Sequence, residues 1–226
     1  MDTLESWRKH CMAQQTELRT ALTEGTDHAR AIQLFLDQHA LLHSARMDTG
    51  TPWSFEDEIF DGLTPEQACR LSPHGESSIA WIIWHLARCE DLTMNLLVAG
   101  TPQLLLQDGW LKKTGSPVRD TGNAMDQQAV IAFNQAVDIE ALRDYRAAVG
   151  RRTREIARRL QPHDMKRKPT PAALQQIIDE GGVVEAAHSL IDYWSNRTVT
   201  GLLLMPPTRH LIVHLNEALQ LKKKFK

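Results

Sequence analysis

Hydrophobic positions along this chain recur at steps of three and four, and no alternating run bounded by hairpin turns interrupts them, so the pattern predicts helices and no strand. Residues 2–24 read as a polar amphipathic helix stopped by Gly25. Thr26 or Asp27 can cap a second helix to about Met47, in which Ile32, Phe35 or Leu36, His39 and Leu42 or His43 keep the helical spacing. Residues 48–76 are rich in Gly, Pro, Asp and Thr and suit short turns, one opening at "TPEQA" with Thr64 as cap and Pro65 in the first helical position. "SSIAWIIWHLARCEDLTMNLLVAG", residues 77–100, carries a serine cap at one end and Gly100 at the other. Its inward stripe can be written Ser78, Ile82, His85, Cys89, Leu92 and Leu96, alternating steps of four and three as in a bundle seam.

Residues 101–137, with Gly109, Gly115, Pro117 and Gly122, read as a long irregular crossover of the kind a bundle needs between parallel helices. Residues 139–160 are an arginine-rich helix ended by Pro162, "TPAALQQIIDEGG" is a short helix, and residues 183–204 are another. "MPP" then breaks the chain before the last helix, which puts His210 and His214 in its first two turns, where unpaired backbone amides would add positive potential. The expected fold is all-α, a helical bundle over residues 26–226 with inserted helices and an N-terminal helical extension at 1–25.

Composition narrows the function. A formal net charge of -2 gives no reason to expect a polyanion partner, and the basic stretches "RRTREIARR" and "KKKFK" read as a solvated helix face and a terminal tail, so nucleic acid is disfavoured. No apolar run approaches a membrane span, and "MDTLESWRKHCM" has no apolar segment of signal-peptide type; a cytoplasmic protein is expected. Cys11, Cys69 and Cys89 are odd in number and widely spaced, which argues for reduced thiols rather than disulfides or a zinc ribbon.

Candidate chemistry lies in the histidines. In "RHLIVHLNEAL" His210 and His214 are four residues apart, about 40° around a helix and about 6 Å along it, so both rings can converge on one point. Alone, that pair is also the spacing of two surface histidines, and His85 alone suits a hydrogen-bonded core position. Together they supply three imidazoles from two helices, the ligand count of an open metal site with solvent completing the shell. A second HxxxH, His39 and His43 in "DQHALLHSAR", could support the same pocket or line a helix end. Cys89, four residues after His85, could pack or reach a metal as thiolate. Glu217, three residues after His214, could orient a ligand, act as a base or pair with solvated neighbours.

"SSIAWIIWHLARCED" followed far downstream by "RHLIVHLNEAL" resembles the DinB-like (DinB/YfiT-like) superfamily of metal-binding helical bundles, over roughly residues 26–222. The resemblance implies an up-down-down-up four-helix bundle, His85, His210 and His214 as metal ligands, and a divalent ion such as zinc or nickel. It also implies chemistry like that of thiol-cofactor-dependent transferases or an isomerase. The added N-terminal helix, the 101–137 crossover and the helices between 138 and 204 depart from the shorter family pattern and would reshape the pocket. A small-molecule substrate is expected, with a low-molecular-weight thiol as candidate cofactor. A metal-dependent hydrolase and a non-catalytic metal- or ligand-binding bundle remain alternatives, and a homodimer is compatible with a docked N-terminal helix.

Overall fold

The computed structural model describes residues 3–48, 50, 53–73, 75 and 77–225, with side chains from residue 8 onward. Met1, Asp2, Lys226 and five residues of the 48–76 stretch fall outside that set. Among the described residues every regular element is helical.

Helix α1 (Thr3–Glu24) ends where Gly25 takes a positive φ of 65° and donates its N–H to the Ala21 carbonyl. Asp27, not Thr26, caps α2 (His28–Leu42) by accepting the Arg30 N–H, and a 3-10 turn follows at Ala45–Met47. Both α3 (Phe55–Phe60) and α4 (Pro65–Ala68) open with capping boxes, the second from Thr64 with Pro65 in the first turn as the sequence predicts. Ser78 caps α5 (Ile79–Asp91), which continues without a break into a π-helical stretch, Leu92–Ala99, closed by Gly100. The Thr93 hydroxyl donates to the Cys89 carbonyl, the acceptor an α-helical Thr93 amide would use, and the turn widens there.

The 101–137 segment is more ordered than its glycines suggest, holding α6 (Leu104–Gln107), α7 (Trp110–Thr114) and α8 (Gln127–Ala136). Gly109 and Gly115 bound α7 with positive φ, so they delimit a helix instead of unravelling one. Asp138 caps α9 (Ile139–Arg159), and Thr170 caps α10 (Pro171–Asp179). The single helix expected over 183–204 is broken into a 3-10 turn at Glu185–Ala187, α11 (Ser189–Ser195) and α12 (Val199–Leu203). Thr198 accepts the Gly201 N–H and starts a new helix inside that span.

"MPP" does not interrupt the chain as expected. Met205–Arg209 forms a π-helical turn that runs directly into α13 (His210–Lys224), and the His210 N–H donates to the Met205 carbonyl. Pro206 and Pro207 lack an N–H but lie in the first turn, where none is needed. His210 and His214 therefore have no free helix N-terminus beneath them, and the expected positive amide potential is absent.

Helix α5 packs on α9 and α13, α2 touches both of these, and α1 lies along α2. Two apolar cores result. One gathers Ile79, Ile82, Trp84, Leu86, Tyr145 and Leu211; the other gathers Leu18, Phe35, Leu92, Leu97, Trp194 and Leu202. Residues 79–98 are all buried except the partly exposed Trp81, so this helix is covered all round and not along one stripe. His85 and Cys89 lie where it passes from one core to the other. Among the described residues no helix is long and apolar enough to cross a membrane.

Candidate metal centre

Four side chains on α5, at positions 81, 84, 85 and 88, share one helical face and donate to four successive backbone carbonyls of the 119–122 strap. Trp81 Nε1 reaches Gly122 (3.2 Å), Trp84 Nε1 Asp120 (2.9 Å), His85 Nδ1 Thr121 (2.8 Å) and Arg88 Nε Arg119 (2.9 Å). The strap is held in turn by the Thr121 N–H donating to the Gly182 carbonyl. Arg88 is fully buried; its charge is met by Asp91 at 3.0 Å, and it also donates to Tyr145 Oη at 2.8 Å.

This strap sets the state of His85. A carbonyl can only accept, so Nδ1 carries the proton and Nε2 presents its lone pair. That Nε2 lies 3.0 Å from His210 Nε2. The ring centroids of His85, His210 and His214 are 4.5–5.0 Å apart, with planes at 67–83° to one another, and Trp81 stacks on His85 at 5.2 Å. Glu217 Oε2 accepts from His214 Nδ1 at 2.6 Å, which leaves His214 Nε2 as the free lone pair. Cys89 Sγ lies 3.8 and 3.9 Å from the two ring nitrogens of His85.

Protonation states follow from burial. Desolvation pushes His85 down to about 4 despite its bond to Thr121, and His210 is driven well below the usual histidine range by burial and by the neighbouring rings. Both are neutral imidazoles at pH 7. Burial pushes the Cys89 thiol up to about 12, so without a cation it stays protonated.

Donor atoms of His85, Cys89 and His210 lie within 4.8 Å of one another, a set that could hold a divalent ion, and the His214 ring meets both histidine rings at 4.5–5.0 Å between centroids. Two nitrogens at tetrahedral bonding distance from one ion stand about 3.3 Å apart, so the 3.0 Å pair would part by about 0.3 Å. Without the ion His210 Nε2–H donates to the bare His85 Nε2, and the buried His210 Nδ1 is left without a partner. Taking up a cation requires that proton to leave Nε2. A pocket of about 280 Å³ opens over the three rings, walled also by Trp81, Leu190, Tyr193, Trp194, Met205 and Pro206, with no Asp, Glu, Lys or Arg among its lining residues.

The structure thus brings together His85, His210, His214 and Cys89, with Glu217 bonded to His214. His39 and His43 gather elsewhere, around Glu90: His39 Nε2 is 2.9 Å from Glu90 Oε1 and His43 Nε2 is 3.8 Å from Glu90 Oε2. Sequence reasoning missed Glu90, Glu56 and Arg146, because the partners come from α2, α3 and α9 and no spacing links them. It also missed the α5 face, although Trp81, Trp84 and Arg88 stand at helical spacing around His85.

Residues 57–217 match the family model of the DinB superfamily, a segment that includes His85, His210, His214 and Glu217 and leaves out His39 and His43. No curated protein matches the chain.

Proposed function

The chain belongs to the DinB superfamily, and on that footing we propose that it is a metal-dependent enzyme whose divalent cation is held by His85, His210 and His214. One observation carries the reading. Three imidazoles converge beneath an apolar pocket, and at His85 and His214 the other ring nitrogen already has an acceptor. A divalent cation bound there supplies a lowered pKa for bound water or thiol and polarises a carbonyl.

The chain's own groups do the rest. The Thr121 carbonyl keeps the His85 proton on Nδ1, and Glu217 does the same for His214. Uncharged walls suit a small substrate with an apolar or aromatic body. Cys89, protonated up to about 12, is no nucleophile by itself, so a thiol transferase would draw its thiol from a low-molecular-weight cosubstrate. We favour transfer to such a thiol over hydrolysis because the pocket holds no carboxylate that could serve as a base for water.

The test is cobalt-loaded protein titrated with glutathione as the thiol probe. A thiolate-to-cobalt absorption band that is absent in His85→Ala supports the transferase. Metal bound without any thiol band points to hydrolysis or to a structural ion, and steady-state turnover before and after chelation then separates those two.

A further inference from the structure

The group around Glu90 holds more polar atoms than it uses. Glu90 accepts from His39 Nε2 at 2.9 Å and from Arg146 Nη1 at 2.7 Å, and Arg146 Nε donates to Glu56 at 3.1 Å; these side chains are at most 1% exposed. Yet His39 Nδ1, both ring nitrogens of His43 and Glu56 Oε1 have no hydrogen-bond partner. A buried imidazole with neither nitrogen satisfied is costly unless something binds it.

Charge points the same way. Two buried carboxylates share one guanidinium, and burial lowers the pKa values of His39 and His43, keeping both rings neutral. Arg154 acts on both rings from outside the hydrogen-bonded group, and Arg143 and Asp57 act on Glu56. Burial raises the Glu56 pKa against the pull of Arg146, as expected for a carboxylate short of positive charge. On Glu90 burial is outweighed by Arg146 and His39, which hold it well below the carboxylate range.

The backbone is shaped to admit His43. A Cβ at Gly150, in the middle of α9, would stand 2.6 and 2.7 Å from His43 Cε1 and Nε2, so the ring rests where only glycine leaves room. Glycine inside a helix is unfavourable relative to alanine. That cost is borne at the position that lets the unpartnered imidazole sit beside Glu90.

We propose that His39, His43 and Glu90 form a second site for a divalent first-row transition ion, separate from the three histidines under the pocket. Donor atoms of His39, His43 and Glu90 lie within 4.8 Å of one another. A mixed imidazole and carboxylate set is harder than three imidazoles and accepts manganese and iron(II) as well as zinc. Arg146 holds both carboxylates in place. With no exposed atom at the cluster, the ion enters as the chain folds, and it exchanges slowly.

The test unfolds the full chain in urea with chelator, refolds it with manganese(II) or zinc(II), desalts it and counts ions. The wild type should hold two, His85→Ala/His210→Ala one, and His39→Gln/His43→Gln one. Manganese in His85→Ala/His210→Ala should show the broadened resonance of an immobilised ion. One ion in the wild type and none in His85→Ala/His210→Ala overturns the second site. One ion in both sinks the three-histidine centre and leaves the second site standing. If the glutamine variant does not fold, the other two counts still decide.

Discussion

His85 owes its ligand state to a backbone atom. The Thr121 carbonyl fixes the tautomer and burial removes the charge, so the ring is ready to donate before any ion arrives. For the metal-free protein this has a pH consequence. The folded pKa of about 4 lies below the ordinary 6.5, so the unfolded chain binds a proton that the folded chain refuses between those values. Stability is full above pH 6.5 and falls as pH drops toward 4; His85 alone contributes a loss of roughly 3 kcal/mol, with His210, His39 and His43 shifted in the same direction. Urea midpoints of chelated protein at pH 7.5 and 4.5 check this, and His85→Gln should flatten the slope. At His214 the supporting group is a half-exposed carboxylate, so Glu217→Gln should weaken metal binding by about 10-fold, the low end for a residue that orients a ligand. Equal affinity by competition with a chromogenic chelator would remove Glu217 from that role.

At the scale of elements, α5 works as a rack. One face holds the 119–122 strap, with His85 at its edge bonding the strap through Nδ1 and facing the pocket beside Cys89, and this register depends on where the helix begins. Ser78 sets that start by accepting the Trp81 N–H while its own hydroxyl donates to Asn134 at 2.7 Å. Ser78→Ala should therefore cost about 1–2 kcal/mol in urea unfolding, the upper part of the range for an N-cap because the partly buried Asn134 acceptor also loses its partner. In α9 the competition runs differently. Gly150→Ala gains about 1 kcal/mol of helix propensity but places a methyl 2.3 Å from Met47 Sδ and against the His43 ring. The thioether can swing away, whereas the ring is hemmed in, and overpacking of this kind costs about 1–3 kcal/mol. The variant should be less stable than the wild type, as read from its urea midpoint; an increase would mean that the His43 position is loose.

Across the whole molecule, the candidate centre lies where two apolar cores meet, with ligands from α5 and α13. An ion bridging those helices binds the folded chain and not the unfolded one. Free zinc at about 100 times its dissociation constant should add roughly 2.7 kcal/mol per site and raise the melting temperature, and His210→Ala should lose that part of the gain. Should zinc leave melting unchanged, a cation linking α5 and α13 is not part of the folded protein. Catalysis, if metal-dependent, should disappear on chelation and return with added metal; equal turnover by both forms would make the ion structural.

The sequence by itself determined the all-helical class and the caps at Thr64 and Gly100, because these rest on short-range rules of period and capping chemistry, and it made the family legible because the residues around His85, His210 and His214 resemble that family's motifs. It could not show that the 183–204 helix breaks at Thr198 or that "MPP" continues into α13, since side-chain capping and a π-helical turn compete there with nearly equal local preferences. Nor could it tell an α5 stripe from a helix buried on every side, which depends on how many neighbours surround it. Only the tertiary structure decided that His39 and His43 turn to Glu90 and Arg146. The contacts of His39 with Glu90 and of Glu90 with Arg146 join α2, α5 and α9 across 51 and 56 residues of chain, and the arrangement of a buried charge depends on every partner that folding brings within reach.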